Sequence, residues 1–309
     1  MSKTAFVFPG QGSQAVGMGK DLHDTFDIAK QIYADADEIM EMPLSRISFE
    51  GPSEILTQTH ITQPALFVHS YILLKLIGES IIADAAAGHS LGEYTAHVYA
   101  RSFSFENGLR LVKKRGELMK VSGLKRPGTM AALIGLTDEQ VIEICEKARE
   151  DQIVEPANFN APGQIVISGD VDAVRRAIRI AKEEPYKCKL AKELQVSGAF
   201  HSNLMQSSSE ELKVALEQTE MNDSGIHVFT NADAGPVTDV ELIRNALYRQ
   251  LMASVKWHGL IGNMVREHNV SKFYEIGSGK VLTGLIKRIN PDVELYNISS
   301  AEDIKKLIQ

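Results

Sequence analysis

A serine between two glycines, in the segment Gly88–Gly92, restricts the fold of this chain more than any other feature. A short apolar run at 81–87 precedes it, and residues at helical spacing, among them Tyr94 and Val98, follow it. The pattern G-x-S-x-G is typical of a sharp strand-to-helix turn, in which Cβ atoms beside the serine would clash and the serine hydroxyl is exposed. The segment therefore predicts a strand, a turn and a helix, with Ser90 either a nucleophile or part of a plain tight turn.

Strand and helix patterns alternate along most of the 309 residues, which favours an α/β fold with a largely parallel sheet. We predict a strand at 4–8, an apolar helix at 65–77 and an amphipathic helix at 104–119. Within 128–197 the order becomes β-α-β-β-α-β, which is typical of a ferredoxin-like unit. Its predicted strands lie at 130–136, 154–159, 164–168 and 187–196, and its helices follow Thr137 and Asp170.

The simplest domain organisation is therefore a small subdomain inserted into a larger α/β body. We predict that residues 1–127 and 198–309 form the body and that residues 128–197 form the ferredoxin-like subdomain. The hinges are predicted at 126–128 and 197–198, where proline, glycine and serine interrupt the pattern.

The composition is that of an ordinary soluble globular protein, with 44% apolar and 24% charged residues. The formal charge of −7 argues against a nucleic-acid-binding protein, whose binding surface would be basic. The sequence shows neither an apolar run of membrane-spanning length nor a signal peptide, so we expect a cytoplasmic protein that does not bind membranes. Cys145 and Cys188 lack metal-ligand spacing, and we expect no metal site.

A reactive Ser90 would need a base, because a serine hydroxyl is a poor nucleophile at neutral pH. The chain has nine histidines. His89 is expected to point away from Ser90 on a turn of this type and to be a packed or capping residue. His201 follows a small-residue break at 196–200, where the subdomain returns to the body, and clefts between domains often hold sites. His201 is therefore a candidate base, although the residues alone leave other histidines open.

Arg115 lies on the apolar stripe of the helix predicted at 104–119, apart from Lys113 and Lys114. A buried guanidinium needs a partner, since an unpaired buried charge is very costly. The partner could be an internal Asp or Glu, or it could be a substrate carboxylate held by the two-pronged arginine fork. The sequence pattern leaves both alternatives open.

Two glycine-rich segments lie elsewhere in the chain. The loop 8–14 follows the first strand, and its glycines could expose backbone N–H groups toward an oxyanion or could simply turn a corner. The segment Gly277–Lys280 does not fit a phosphate-binding loop, because Val281 stands where Ser or Thr should follow.

Taken together, these motifs resemble those of the malonyl-CoA:acyl carrier protein transacylases of type II fatty acid synthesis and of the related acyltransferase domains of polyketide synthases (PKS). The resemblance covers essentially the whole chain and rests on Phe8–Gln14, Thr62–Ala65, Gly88–Tyr94, Arg115, Asn158–Gln164, Ser197–Ser202 and Glu275–Leu282. It implies a hydrolase-like α/β parallel-sheet body with an inserted ferredoxin-like subdomain.

The resemblance also implies a role for each motif residue. Ser90 would carry malonyl from coenzyme A to the phosphopantetheine thiol of holo acyl carrier protein, and His201 would be the general base. The main-chain carbonyl of Gln250 would orient His201. The N–H groups of Gln11 and Leu91 would form the oxyanion hole.

Arg115 would bind the malonyl carboxylate, and Gln63, Asn160 and Phe200 are further residues that we expect to line the site. No cofactor is expected, because malonyl-CoA is a substrate and the partner carries the phosphopantetheine. We also expect a monomer that binds no nucleic acid.

Two other functions fit parts of the same pattern. A serine hydrolase that clears acyl groups from carrier proteins would use Ser90 and His201 but would have no use for Arg115 with uncharged acyl groups. A non-catalytic module that docks carrier proteins would need none of the three.

Overall fold

The computed structural model describes residues 2–196 and 198–308. Within these ranges the strands are Lys3–Phe8 (β1), Ala85–Gly88 (β2), Gly128–Ile134 (β3), Val154–Ala161 (β4), Gln164–Asp170 (β5), Leu190–Glu193 (β6), His227–Phe229 (β7), Pro236–Val237 (β8), Val270–Ile276 (β9) and Glu294–Ile298 (β10).

The helices cover both sheets and connect most of the strands. They are Lys20–Thr25 (α1), Asp27–Met40 (α2), Leu44–Glu50 (α3), Ser53–Leu56 (α4), Thr59–Ile77 (α5), Gly92–Tyr99 (α6), Phe105–Lys125 (α7), Asp138–Arg149 (α8), Val171–Lys182 (α9), Gln206–Gln218 (α10), Val240–Gln250 (α11), Trp257–Arg266 (α12), Val281–Ile289 (α13) and Ala301–Ile308 (α14). No helix in the described part of the chain is long and apolar enough to cross a membrane.

The larger sheet has the order β10-β9-β1-β2-β7-β8, and all its pairs are parallel except β7 with β8. Its central strands β1 and β2 are almost entirely apolar and buried, as expected for parallel strands covered on both faces. Parallel strands end at the same edge of a sheet. The segments that follow β1, β2 and β7 therefore meet there, and this edge holds the candidate site.

The smaller sheet is antiparallel, with the order β4-β5-β3-β6, and α8 and α9 pack against it. Along the chain these elements follow the predicted order β-α-β-β-α-β. The predicted fold class, a parallel α/β body with a ferredoxin-like unit, is confirmed. The exact domain boundaries stay a prediction, and the hinge residue Ser197 lies outside the described residues.

A short bridge ties the antiparallel sheet to the larger body. Phe159 in β4 donates its backbone N–H to the carbonyl of Val255 over 2.9 Å, and Val255 donates to the carbonyl of Ala157 over 2.8 Å. The Ser254 hydroxyl donates to the Pro156 carbonyl over 2.5 Å. The bridge fixes β4 beside the segment that follows α11, which contributes to the candidate site.

Three elements begin or end more than two residues from their predicted positions. Helix α5 begins at Thr59 rather than at residue 65, and Pro64 lies inside it, because packing of its first turns overrides the local cost of proline. Helix α7 extends to Lys125, six residues past the predicted end. Strand β6 spans only Leu190–Glu193, because it is an edge strand paired with β3 alone.

Candidate active site

The segment Gly88–Gly92 forms the predicted sharp turn from β2 into α6. A Cβ atom on Gly88 would lie 1.8 Å from the carbonyl carbon of Gly92, and one on Gly92 would lie 2.0 Å from the carbonyl oxygen of Phe8. Both positions therefore require glycine. Ser90 has a φ of 50°, in the left-handed region that serine seldom adopts, so the turn holds it in a strained conformation.

His201 lies against Ser90 although the two residues are 111 positions apart. Its Nε2 is 2.8 Å from the Ser90 hydroxyl oxygen, and its Nδ1 is 2.9 Å from the Gln250 carbonyl oxygen and 3.2 Å from that of Ala253. Carbonyl oxygens only accept, so Nδ1 carries the proton and Nε2 is free to accept from Ser90. The arrangement is that of a nucleophile and an oriented general base.

The His201 imidazole is only 4% exposed. Burial, and next the positive charge of Arg115, lower the pKa of His201 to about 3, while the hydrogen bond to the Gln250 carbonyl opposes this shift. The imidazole is therefore neutral at physiological pH, the form that a general base requires.

Arg115 is only 1% exposed, and its guanidinium points at Ser90. Nη1 donates to Gln63 Oε1 over 2.6 Å, and Nη2 donates to the Ser90 hydroxyl oxygen over 2.9 Å and to Gln250 Oε1 over 3.0 Å. Nε has no partner. Among the described residues no Asp or Glu contacts the guanidinium directly, and the buried Glu93 reaches it only through the Gln250 amide. An internal ion pair, one of the two alternatives, is thus not formed.

The loop after β1 packs directly against the elbow, because a Cβ atom on Gly10 would lie only 2.4 Å from the His89 carbonyl oxygen. Gln11, in this loop, and Leu91, at the start of α6, both line the cavity around Ser90. Neither backbone N–H donates to another group within the described residues. They are therefore available to an oxyanion, as expected from the resemblance.

The cavity that opens above Ser90 has a volume of about 260 Å³. Gln63, Asn160 and Phe200, the other residues expected at the site, all line it. Much of its wall is apolar and comes from α7, the smaller sheet with the segment after β6, and α13, namely Met119, Met130, Val166, Leu194, Val196, Val281, Leu282 and Leu285. Polar groups thus gather at the Ser90 end of a largely apolar pocket, an arrangement typical of small-molecule sites.

His89 does not approach Ser90 with its ring. Its Nε2 lies 2.8 Å from Asn160 Oδ1, and its ring packs beside Trp257 at 5.5 Å between centroids. The packed role expected for His89 is therefore the observed one. No group of three or more His, Cys, Asp or Glu side chains within 2–196 and 198–308 is arranged to hold a metal ion.

Sequence reasoning missed two buried polar residues beside Ser90. Asn231 follows β7, and its Oδ1 accepts the Ser90 backbone N–H over 2.6 Å. Glu93, in the first turn of α6, is 0% exposed and accepts from Gln250 Nε2 over 2.8 Å. A polar residue directly after an apolar strand was the available signal for Asn231. Glu93 gave none, because an acidic residue in the first turn of a helix is ordinary.

Comparisons with known proteins show the family to which the chain belongs. The family model described as an acyl transferase domain matches residues 5–300. The malonyl CoA-acyl carrier protein transacylase of Bacillus subtilis (strain 168) is 42% identical over 311 residues, covering 100% of this chain and 97% of the relative. A solved acyl carrier protein S-malonyltransferase from Vibrio cholerae has a TM-score of 0.93 at 40% identity and covers 99% of this chain and 100% of its own.

A further solved structure shows a type II PKS acyl-carrier protein in complex with its malonyl-transacylase. It is 37% identical, with a TM-score of 0.93 and coverage of 99% of both chains. Matches of this length and identity include every element that builds the site. This chain therefore belongs to the acyl transferase family and, within it, to the malonyl CoA-acyl carrier protein transacylases.

Proposed function

We propose that the protein transfers malonyl from malonyl-CoA to the phosphopantetheine thiol of acyl carrier protein, through a malonyl ester of Ser90. The observation that carries this proposal is the buried Arg115. Among the described residues its guanidinium donates only to neutral oxygens, one of them the Ser90 hydroxyl oxygen at 2.9 Å, and it lies over the ring of Tyr94. A buried cation beside the nucleophile favours an acyl group that brings its own carboxylate.

In the first half-reaction, Ser90 Oγ attacks the thioester carbon while its proton passes to His201 Nε2. The carbonyl oxygen becomes an oxyanion, which accepts hydrogen bonds from the N–H groups of Gln11 and Leu91. Each such donor contributes about 3 kcal/mol to lowering the barrier. The carbon–sulfur bond then breaks, and coenzyme A leaves as its thiol with the proton from His201.

In the second half-reaction, His201 takes the proton of the pantetheine thiol, and the thiolate attacks the Ser90 ester. The ester bond breaks, and the proton returns to Ser90 Oγ. During both steps the carbonyls of Gln250 and Ala253, which accept from Nδ1, stabilise the transient imidazolium. In the first half-reaction a main-chain oxygen suffices in place of a carboxylate because the leaving group is a thiolate, and in the second because the attacking group is a thiol, which gives up its proton readily.

The substrate and partner follow from this chemistry. Both half-reactions need only acid–base and nucleophilic groups of the chain, so we propose that no cofactor takes part. The apolar wall of the cavity suits a pantetheine chain, which both coenzyme A and the carrier protein carry. A monomer stays our prediction.

Intact-protein mass spectrometry tests the proposal. Malonyl-CoA should add one malonyl group to the wild type and none to Ser90→Ala, and holo acyl carrier protein should then remove the group and gain it. If malonyl-CoA leaves the wild type unmodified, the proposal is wrong. If the malonyl group is released to water at the same rate with and without carrier protein, the protein is a hydrolase instead.

A further inference from the structure

Glu93 is a fully buried glutamate that the mechanism above does not use. Its Oε2 accepts the backbone N–H of Asn231 and the Nε2 of Gln250, each over 2.8 Å. Its Oε1 is buried and has no hydrogen-bond partner among the described residues. Burial raises the pKa of Glu93 to about 7, against the hydrogen bonds from Gln250 and Asn231. Oε2 can accept in both charge states, so these bonds persist on either side of neutrality.

Asn231 and Gln250, which donate hydrogen bonds to Glu93, also bind the backbone N–H and the carbonyl of Ser90. Asn231 Oδ1 accepts the Ser90 backbone N–H over 2.6 Å, and Gln250 Nε2 donates to the Ser90 carbonyl over 2.9 Å. Ser90 has a φ of 50°, a conformation that persists only where its surroundings enforce it. Glu93 therefore anchors the backbone of Asn231 and the side chain of Gln250, the two residues whose side chains fix the backbone of the nucleophile.

The Ser90 carbonyl belongs to the same peptide group as the N–H of Leu91, one of the two oxyanion donors. A peptide group is planar, so the two bonds that this carbonyl accepts, from Gln250 Nε2 and from the backbone N–H of Glu93 over 3.2 Å, together set the direction of the Leu91 N–H. A hydrogen bond accepted by a carbonyl further polarises the N–H of the same peptide group. The orientation of the Gln250 amide thus bears directly on the oxyanion hole.

Glu93 fixes which way that amide points. Gln250 Oε1 accepts from Arg115 and its Nε2 faces Glu93, so an acceptor at position 93 excludes the flipped amide. We propose that Glu93 is a positioning residue for acyl transfer, which acts through Gln250 and Asn231 to hold Ser90 and the Leu91 N–H in their reactive geometry. The inference rests on the proposed function, because it assumes acyl transfer at Ser90.

The test compares Glu93→Ala with Glu93→Gln by rapid-quench measurement of Ser90 acylation from malonyl-CoA and from acetyl-CoA. Alanine removes the acceptor. Glutamine keeps one oxygen for Asn231 and Gln250 and can place its NH₂ at the partnerless Oε1 position. Misplacement of a catalytic group by about 1 Å costs about 100-fold in rate, and so does the loss of one oxyanion donor.

We expect Glu93→Ala to lower the maximal acylation rate about 100-fold for both acyl groups, with little change in the concentration for half-maximal rate. Glu93→Gln should recover the rate to within about tenfold of wild type. In a Gln250→Ala background, which keeps the carbonyl that His201 needs, Glu93→Ala should cost several-fold less than in wild type. Each rate is divided by the fraction of protein that can be acylated, so that unfolded protein does not lower the measured rate.

Asp37→Asn is the matched control, because Asp37 lies in α2 away from the cavity and its carboxylate instead accepts from the backbone N–H and the hydroxyl of Ser45. We expect it to lower the unfolding temperature without the loss of acylation rate. The inference is overturned if Glu93→Ala stays within threefold of wild type, if glutamine rescues nothing, or if only the half-maximal concentration changes. A wild type that takes up no acyl group would instead refute the proposed function.

Discussion

Replacement of Arg115 tests the proposed substrate most directly, because Arg115 is the residue proposed to bind the malonyl carboxylate. Arg115→Ala removes three hydrogen bonds, to Gln63, Ser90 and Gln250, and the only guanidinium that lines the cavity within the described residues. A malonyl carboxylate in the variant would be buried beside neutral groups. Removing one partner of a buried ion pair costs about 3–5 kcal/mol.

At about 1.4 kcal/mol for each factor of ten, this cost predicts a fall in kcat/KM for malonyl-CoA of between about 100-fold and about 5,000-fold. Acetyl-CoA carries no carboxylate. With this substrate the variant loses the same three hydrogen bonds but no ion pair, and only the bond to Ser90 reaches a reacting atom. The net value of that bond, about 1 kcal/mol, predicts a change of about tenfold. Arg115→Lys should lie between, since it keeps the charge without the two-pronged fork.

The assay is rapid-quench acylation of each variant with malonyl-CoA and acetyl-CoA, followed by intact-mass detection. Circular dichroism and the unfolding temperature verify that the variants are folded, because Gln63 and Gln250 lose a donor. The selectivity between the two substrates is the decisive quantity. A fall of equal size for both substrates would refute the assignment of Arg115 to the malonyl carboxylate.

Three further predictions concern the base and the elbow. His201→Ala should slow acylation about 10²- to 10⁴-fold, as single-turnover kinetics will show. Because the pKa of His201 is lowered to about 3, the rate of acylation by acetyl-CoA should fall only well below pH 6.5. Arg115→Ala removes a positive charge that lowers this pKa, so the fall in rate should begin at a higher pH in the variant. A wild-type rate that already falls at or above pH 6.5 would contradict this. Gly92→Ala, with Cβ 2.0 Å from the Phe8 carbonyl, should cost about 3 kcal/mol or more in denaturant unfolding, whereas Gly284→Ala, in open space, should not destabilise.

The motifs allowed much of the site to be predicted from the sequence. The strand, turn and helix around Gly88–Gly92 follow from local sterics, since the missing Cβ atoms are themselves a sequence feature. The apolar stripe of α7 likewise placed Arg115 in the interior, where it is 1% exposed. The β-α-β-β-α-β order followed from periodicity and turn residues. Local patterns of this kind carry their structural consequence within a few residues.

Element ends were less predictable, because packing decides them. The start of α5 at Thr59 and the short β6 depend on neighbours far away in the chain. The roles of Gln11, Leu91 and Gln250 came only from the family resemblance, and they stay predictions until the variants are measured. These roles belong to main-chain carbonyl and N–H groups, which every residue has, so the spacing of side chains along the sequence cannot identify them.

The sequence by itself determined the elbow, the interior position of Arg115 and the α/β class, because each rests on interactions between near neighbours. Only the tertiary structure decided that the partner groups of Arg115 are neutral, that the imidazole of His201 reaches Ser90 at 2.8 Å, and that Glu93 anchors Asn231 and Gln250. These contacts join residues up to 157 positions apart. They form because parallel strands end at one edge of a sheet, which brings distant loops together.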